Sequence, residues 1–517
     1  MGYIQRMRDA FSYRFILLLF IVQCFIKGIC FVVATKGMMP LLKSIGVDAI
    51  TLQVLASLSM SPWVLKPLIG VIGDLVAIDG FHKRYWMLLS MIVGIFGGAW
   101  MVVEIHVPIA LSLFLLCIHF EIAVCDLFTE ARYAALMRDN PQTGSDIVTL
   151  ATAFQNLGYL ISMGFVGPLA DLGMFRVSSI VTLVLLATPV IPVMLNWLRE
   201  ERIPGNPPWI QLDTAKVKRD WRILLLVSLT GMSAPAMGII TAFSYKWLGL
   251  ICSAIMITLA CIGGFAFMPH PLIGRVALYQ VLAQASRISF SSALDYFFTA
   301  DAACLPGGPS FSYKFYIMVV GIVGAAAALF TSFIYQAAFS KWNYRNVLLF
   351  TSVLSGVGGL FDFVIVRRWN LLIGIPDWIF FLIGDDILES VVDNLYWIPS
   401  SSIIGKVCPK GMESSVYAYL AGVANFGRMI SLIAGAMLLE WVGLRTLPTP
   451  DCNWVGLDWL ILFGHIGFML LVSVPASFLI PKVPQDANLL ETPQPHSDSL
   501  SVRSAYGSLD LTLASDL

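Results

Sequence analysis

Long apolar runs, broken by short charged loops, set the pattern of this chain. Fourteen runs of about 20 residues can be traced, the length an α-helix needs to cross a bilayer. They lie near 15–34, 50–72, 86–103, 108–129, 148–168, 177–198, 223–243, 247–268, 276–298, 315–339, 347–366, 377–403, 415–440 and 457–480. The polar stretch ERIPGNPPWIQLDTAKVKRDWR (200–222) separates the sixth from the seventh, and the seventh and eighth are tightly joined. The order is therefore six, two and six. It predicts an all-α integral membrane fold of two pseudo-symmetric six-helix bundles with a two-helix hairpin between them.

The expected organisation is an N-terminal bundle over 1–198, a cytoplasmic linker over 199–222 and a central hairpin over 223–268. A C-terminal bundle over 269–483 and a tail over 484–517 follow. The hairpin is expected to cross the bilayer, although apolar runs alone also allow it to lie against the bundle. The tail is rich in Ser, Pro and Asp and poor in apolar runs, so it is expected to be disordered. It contains DANLL (486–490), a dileucine-type sorting pattern.

Composition points the same way. Of 517 residues, 58% are hydrophobic and 12% charged, against about 25% charged in a soluble domain. A chain this apolar is expected to use lipid as the solvent for its outside. Net charge is zero, so nothing suggests nucleic acid as a partner. With the N-terminus placed in the cytoplasm, cytoplasmic segments carry 20 basic residues and the opposite side 8. This bias puts both termini inside. Lys27, Lys66, Arg287 and Arg428 fall within spans or at their ends. Cys304 and Cys452 both land in loops on the opposite side, where a disulfide and two free thiols are both open.

Charge inside spans is where chemistry is expected, because a charged side chain at a helix centre costs roughly 2.5–3.5 kcal/mol on insertion scales. The fourth run reads HFEIAVCDLFTEARY (119–133). Its Glu121 and Asp126 are intramembrane, and His119, Asp126 and Glu130 share one helical face. A proton relay or substrate contact is one reading, and a buried ion pair between helices is the other. The twelfth run, IFFLIGDDILESVVDNLYWIP (379–399), places Asp385, Glu389 and Asp393 four residues apart as a carboxylate stripe, with Asp386 alongside. Like charges at that spacing repel, so a cation, a proton or a polar cavity must relieve them. Lys27, Arg287 and Arg428 are either anion-binding residues or the counter-ions of these acids.

Loop GVIGDLVAIDGFHKRYW (70–86) places Gly70 and Asp74 before His82, Lys83 and Arg84. Its carboxylate can pair with cations or cap a helix end. A short internal repeat relates HKRYWMLLSMIVG (82–94) to NYRNVLLFTSVLSG (343–356), and Lys27 and Arg287 sit at similar depth in the first run of each six. That is expected of halves related by a parallel repeat. No nucleophile–base pair, metal-ligand spacing or phosphate loop stands out. No catalytic residue, metal or cofactor is therefore assigned.

Several segments carry a family resemblance: KPLIGVIGDL (66–75) with HKRYW, DYFFT (295–299), FSYKFYIMVVGIVGA (311–325), KWNYRNVLLF (341–350), GIPDWIFFLIGDD (374–386) and CPKGMESSVYAYLAGVANFG (408–427). Over roughly 15–480 the chain resembles the folate–biopterin transporter family of the major facilitator superfamily. The resemblance implies alternating-access transport of folates, biopterin or related pteridines by proton symport, with S-adenosylmethionine as the alternative cargo. It implies that the 70–86 loop, with Gly70, Asp74, Lys83 and Arg84, acts as a cytoplasmic gate. Substrate-binding or proton-coupling candidates are Lys27, Glu121, Asp126, Arg287, Asp385, Glu389, Asp393 and Arg428. A monomer in the plasma membrane is expected. A receptor that binds ligand without translocating it is the other function class.

Overall fold

A backbone in lipid must satisfy its own hydrogen bonds, so apolar runs of this length fold as helices. The computed structural model describes residues 11–103, 107–139, 144–205, 208–242, 246–408, 413–447, 451–485 and 489. All fourteen runs are helical. The first six are α1 Tyr13–Ser44, α2 Ala49–Leu75, α3 Arg84–Val102, α4 Pro108–Asp139, α5 Gly144–Asp171 and α6 Phe175–Met194. The central pair is α7 Thr214–Ala242 and α8 Lys246–Phe267. The last six are α9 (271–298), α10 Lys314–Phe339, α11 Tyr344–Val366, α12 (377–406), α13 Glu413–Trp441 and α14 Leu457–Leu479.

Ten of these helices are long and apolar enough to cross a membrane on length and composition. The other four are α5, α7, α9 and α12. α7 begins with Lys216, Lys218, Arg219, Asp220 and Arg222, and α12 carries the acidic stripe. α9 is not one helix. It breaks into Pro271–Ala285 and Ser291–Phe298, so the expected continuous span 276–298 is interrupted. The freed backbone of the break is satisfied from neighbouring helices. The Ile288 carbonyl lies 2.9 Å from His465 Nδ1, the Ser289 carbonyl accepts from Gln53 Nε2 at 2.7 Å, and the Arg287 carbonyl accepts from Ser431 Oγ at 2.5 Å.

The central pair packs as a hairpin. α7 lies along α2 and α13, and α8 lies along α9 and α13, so the hairpin touches helices of both sixes. Its outer faces are apolar stripes at helical spacing: Trp221, Leu225, Leu229 and Met232 on α7, and Leu248, Ile251, Ile255, Leu259 and Ile262 on α8. Such exposed stripes suit lipid.

At one end of the molecule the two sixes are sealed together. The Asp171 carboxylate accepts the backbone N–H groups of Tyr313 and Lys314, both at 2.7 Å. Lys43 donates to the carbonyl and hydroxyl of Thr299 at 2.9 and 2.8 Å, and Thr446 accepts the Ala49 N–H at 3.0 Å. Cys304 and Cys452 form a disulfide here, which decides the pairing the sequence left open.

The opposite end carries a small antiparallel sheet, β1 (Val76–Ile78) with β2 (Ile210–Leu212), which ties the linker to the loop after α2. The root of the tail is also held at this end. Gln485 accepts from Tyr335 at 2.6 Å and donates to the Phe339 carbonyl at 2.8 Å, and Leu489 is buried. The expected disordered tail from Pro484 therefore begins as docked chain, and 490–517 lie outside the described residues.

Small residues let the first bundle close. A Cβ on Gly158 of α5 would meet the Cys24 carbonyl of α1 at 2.1 Å, and one on Gly28 would meet the Gly158 Cα at 2.7 Å. Backbones in contact at this depth leave no flexible atom to move aside. A Gly158→Leu substitution is therefore expected to cost more than the about 1–3 kcal/mol typical of overpacking. It should show as a strongly lowered thermal unfolding temperature of the purified protein in detergent, whereas Gly164→Leu, which has open space around it, should not.

Candidate functional site

Three of the candidate residues sit where the helices depart from regular geometry. Lys27 lies in a π-helical segment of α1, Ile21–Cys30. Arg287 lies in the break of α9. Asp385 and Asp386 occupy a third irregular piece, the π-helical Leu382–Leu388 of α12. Single π turns inside helices gather at functional positions because they re-aim side chains.

In the first six, Lys27 Nζ lies 2.8 Å from Asp126 Oδ1 and 3.4 Å from Glu130 Oε1. Lys66 Nζ, from α2, lies 2.6 Å from Asp126 Oδ2. Gln23 donates to Asp126 Oδ1 at 3.2 Å. The Asp126 side chain is 1% exposed and Lys27 17%. One carboxylate thus holds two lysines from two helices, and charge-assisted hydrogen bonds saturate it. The geometry shows an ion pair between helices at Asp126.

The shared face of α4 carries a second layer. His119 Nδ1 accepts from Trp63 Nε1 at 3.3 Å, and Lys66 sits over the Trp63 ring, 4.4 Å from its centroid. Phe31 meets Trp63 and His119 edge-on, with centroids at 5.4 and 5.7 Å. It is stacked on Tyr159 at 6.3 Å, with planes 21° apart. This is a flat aromatic ledge beside a charged cluster.

Glu121 does not join Asp126. It lies on the other face of α4, fully buried, and a Cβ on Gly94 of α3 would be 2.0 Å from its Oε2. Neither carboxylate oxygen has a hydrogen-bond partner among the described residues. Glu121 is thus packed against α3, on a face of α4 apart from Asp126.

The second six repeats the arrangement with different partners. Arg287 Nη1 lies 3.6 Å from Asp393 Oδ1. The guanidinium sits over the Tyr396 ring at 5.0 Å, and Tyr396 donates to Gln280 Oε1 at 2.6 Å. In each six, then, a cation on the first helix pairs with an acid on the fourth: Lys27 with Asp126, and Arg287 with Asp393. The two pairs differ in exposure, because the Asp393 side chain is 66% exposed. Glu389 is exposed on the same face of α12. The repulsion along the stripe is relieved at Asp393 by Arg287, whereas Lys27 serves α4 instead. Asp386 packs toward α10, where a Cβ on Gly324 would meet its Oδ1 at 2.5 Å. The Asp385 side chain lies outside the described residues.

Arg428, on α13, is exposed and makes no ion pair or hydrogen bond among the described residues. Lys66 is the residue the sequence reading passed over. It stood among the in-span cations without a partner, because nothing in a single sequence says that α2 faces α4.

The expected gate loop is tied to the linker, in part through its own carboxylates. Lys216 lies 3.8 Å from Asp74. The Glu200 carboxylate accepts the backbone N–H groups of His82, Lys83 and Arg84 at 2.8, 3.0 and 3.0 Å, which caps α3. Arg202 pairs with Asp79 at 2.5 Å. Gly70 meets only Leu127, at an ordinary 3.8 Å, whereas Gly73 is the glycine that space requires, since a Cβ there would be 2.5 Å from Phe128.

Removing one partner of a buried ion pair leaves an uncompensated charge, at a cost of about 3–5 kcal/mol. Asp126→Asn, which strips both lysines of their shared anion, is expected to lower the unfolding temperature sharply. Glu130→Gln, at a side chain 28% exposed, should change it little. Thermal unfolding of both purified variants checks this ordering.

The sequence pattern of the BT1 family matches residues 27–494. A relative from Arabidopsis thaliana called "Probable folate-biopterin transporter 6" is 26% identical, over 83% of this chain and 75% of its own length. The "Folate-biopterin transporter" of Synechocystis is 22% identical, over 77% and 70%. "Folate transporter 1" of Plasmodium falciparum is 22% identical, over 83% and 72%. Among solved structures, a POT peptide transporter in complex with sulfate superposes with a TM-score of 0.64 at 11% identity, covering 93% of this chain and 100% of that one. This last likeness establishes the all-α membrane-transporter fold alone. With its family pattern matched over nearly the whole length, this chain belongs to the BT1 family.

Proposed function

We propose that this chain is a secondary active carrier of pteridines, folate and biopterin in particular, working by alternating access between its two six-helix halves. The observation that carries the reading is the pairing of a first-helix cation with a fourth-helix acid in each half, one pair sealed and one exposed. Charge is tolerated inside a membrane protein where it pairs, and both of these cations are paired. The relatives named for folate and biopterin supply the cargo class.

In this reading the second half recognises the ring. A pterin presents a 2-amino group beside a ring N–H, which suits a carboxylate accepting two hydrogen bonds. Glu389 and Asp393 are the exposed carboxylates that match, with Arg287 setting the position of Asp393. The Phe31–Tyr159 ledge gives the flat ring a surface to lie on. The sealed Lys27–Asp126–Lys66 cluster keeps α1, α2 and α4 together as one body while the halves move. The domain division, with the linker and hairpin between the halves, belongs to this same proposal. So do a plasma-membrane location with both termini cytoplasmic, a monomeric carrier and proton coupling. The sealed end with its disulfide is then extracytoplasmic, which fits an oxidising compartment.

Uptake of labelled folate, biopterin and S-adenosylmethionine into cells expressing the chain, at external pH 5.5 and 7.5, tests the proposal. Pteridine uptake that rises at acid pH is expected. Uptake of S-adenosylmethionine alone would transfer the exposed carboxylates to a cationic cargo, and no uptake from a surface-resident protein would refute the carrier. Asp393→Asn should lower pteridine uptake about tenfold or more while leaving the unfolding temperature nearly unchanged, because a solvent-screened pair contributes at most about 1 kcal/mol to stability.

A further inference from the structure

Among the intramembrane cations, Arg428 has a distinct position. Lys27 and Lys66 are matched by Asp126 and Glu130, and Arg287 by Asp393. Arg428 is exposed in the middle of α13 without an ion pair or hydrogen bond among the described residues. An unpaired guanidinium facing hydrocarbon would be expensive, so the direction it faces matters.

Its neighbours place it toward the interior. Three residues before it, Asn425 donates to the Trp63 carbonyl of α2 at 3.2 Å. Three residues after it, Ser431 donates to the Arg287 carbonyl in the break of α9. Arg428 therefore lies between contacts to both halves. Tyr159, which bears the aromatic ledge, is within electrostatic range of Arg428 and also of Lys27 and Asp126. Tyr417 is eleven residues earlier on α13, on the same helical face. It is within electrostatic range of Glu130, Lys27 and Asp126. The face carrying Tyr417 and Arg428 thus looks across the interior at the charged cluster of the first half.

We infer that Arg428 is the residue that receives a carboxylate of the cargo, and that it sets the preference for carboxylate-bearing pteridines over uncharged ones. The inference rests on the pteridine reading above and adds the group that discriminates within it. Folate carries a pterin joined through an aminobenzoyl unit to a glutamate with two carboxylates, and biopterin carries no carboxylate. A planar guanidinium offers two parallel N–H donors to one carboxylate. With Arg428 near the Tyr159 end of the ledge and the exposed acids of α12 beyond the α9 break, ring and tail recognition fall to different residues. The exposed acids would repel the tail carboxylates, whereas Arg428, which makes no ion pair among the described residues, offers a cation to hold them.

The test uses the purified full chain in liposomes, comparing wild type, Arg428→Gln and Arg428→Lys for uptake of labelled folate and labelled biopterin. Arg428→Gln is expected to lower folate uptake about tenfold or more, since a charge-assisted pair lost with its geometry is worth at least that factor. Biopterin uptake should stay within about twofold, and this also reports that the variant is folded. Arg428→Lys should recover part of the folate uptake, because charge remains while the fork is lost. Equal loss of both cargoes, or no loss of either, overturns the inference and leaves the pteridine reading in place. Wild-type uptake of biopterin without folate does the same. Wild-type uptake of neither cargo overturns the pteridine reading, and this inference falls with it.

Discussion

One carboxylate, Asp126, organises the first half of this protein. It is almost fully buried, and it stands between Lys27 of α1 and Lys66 of α2. Taking three charges out of water is costly, and only close geometry with saturating hydrogen bonds returns that cost. The cluster therefore fixes the relative rotation of α1, α2 and α4. It also explains the irregular backbone of α1, since a π-helical stretch aims Lys27 at α4. The contact of α1 with α5 through Gly28 and Gly158 then adds the next helix to the same rigid group.

The second half uses the same first-to-fourth pairing and leaves it open. Arg287 comes from a break whose carbonyls are held by Gln53, Ser431 and His465, residues of α2, α13 and α14. A helix interrupted within a membrane is tolerated where neighbouring side chains re-satisfy its backbone. Here the break places a cation beside an exposed carboxylate, with Tyr396 beneath the guanidinium. A rigid closed cluster on one side and an accessible one on the other is the asymmetry a carrier needs: one half as a frame, and the other offering polar groups that a solute can reach. The sixes are joined at one end through Asp171, Lys43 and Thr446, and at the other end β1 and β2 tie the linker to the loop after α2.

The helices were legible because burial in lipid leaves a long unambiguous signal: each of the fourteen runs is helical, α9 in two pieces. The shared face of His119, Asp126 and Glu130 was legible from helical periodicity, and the equivalence of Lys27 and Arg287 from their depth in each half. Partner choice was not legible. Glu121 and Asp126 look alike in sequence, but their positions on α4 turn one toward Gly94 and the other toward two lysines. The break in α9 was hidden because Ser286–Phe290 carries no proline or glycine to mark it; the helix stops where side chains on three other helices donate to its backbone carbonyls. Docking of the tail root was equally hidden, since it depends on Tyr335, Tyr344 and Lys406 meeting Gln485 from distant positions.

Transport by alternation of the two halves, as opposed to binding without passage, is tested most directly by counterflow. Liposomes holding the purified chain would be loaded with unlabelled folate or biopterin and diluted into a trace of the labelled compound. A carrier must show a transient accumulation of label, faster than in unloaded liposomes, because the loaded site returns more readily than the empty one. Binding of label that saturates at the protein content of the liposomes, with no stimulation by internal substrate, would contradict the carrier and leave a receptor with a transporter's fold.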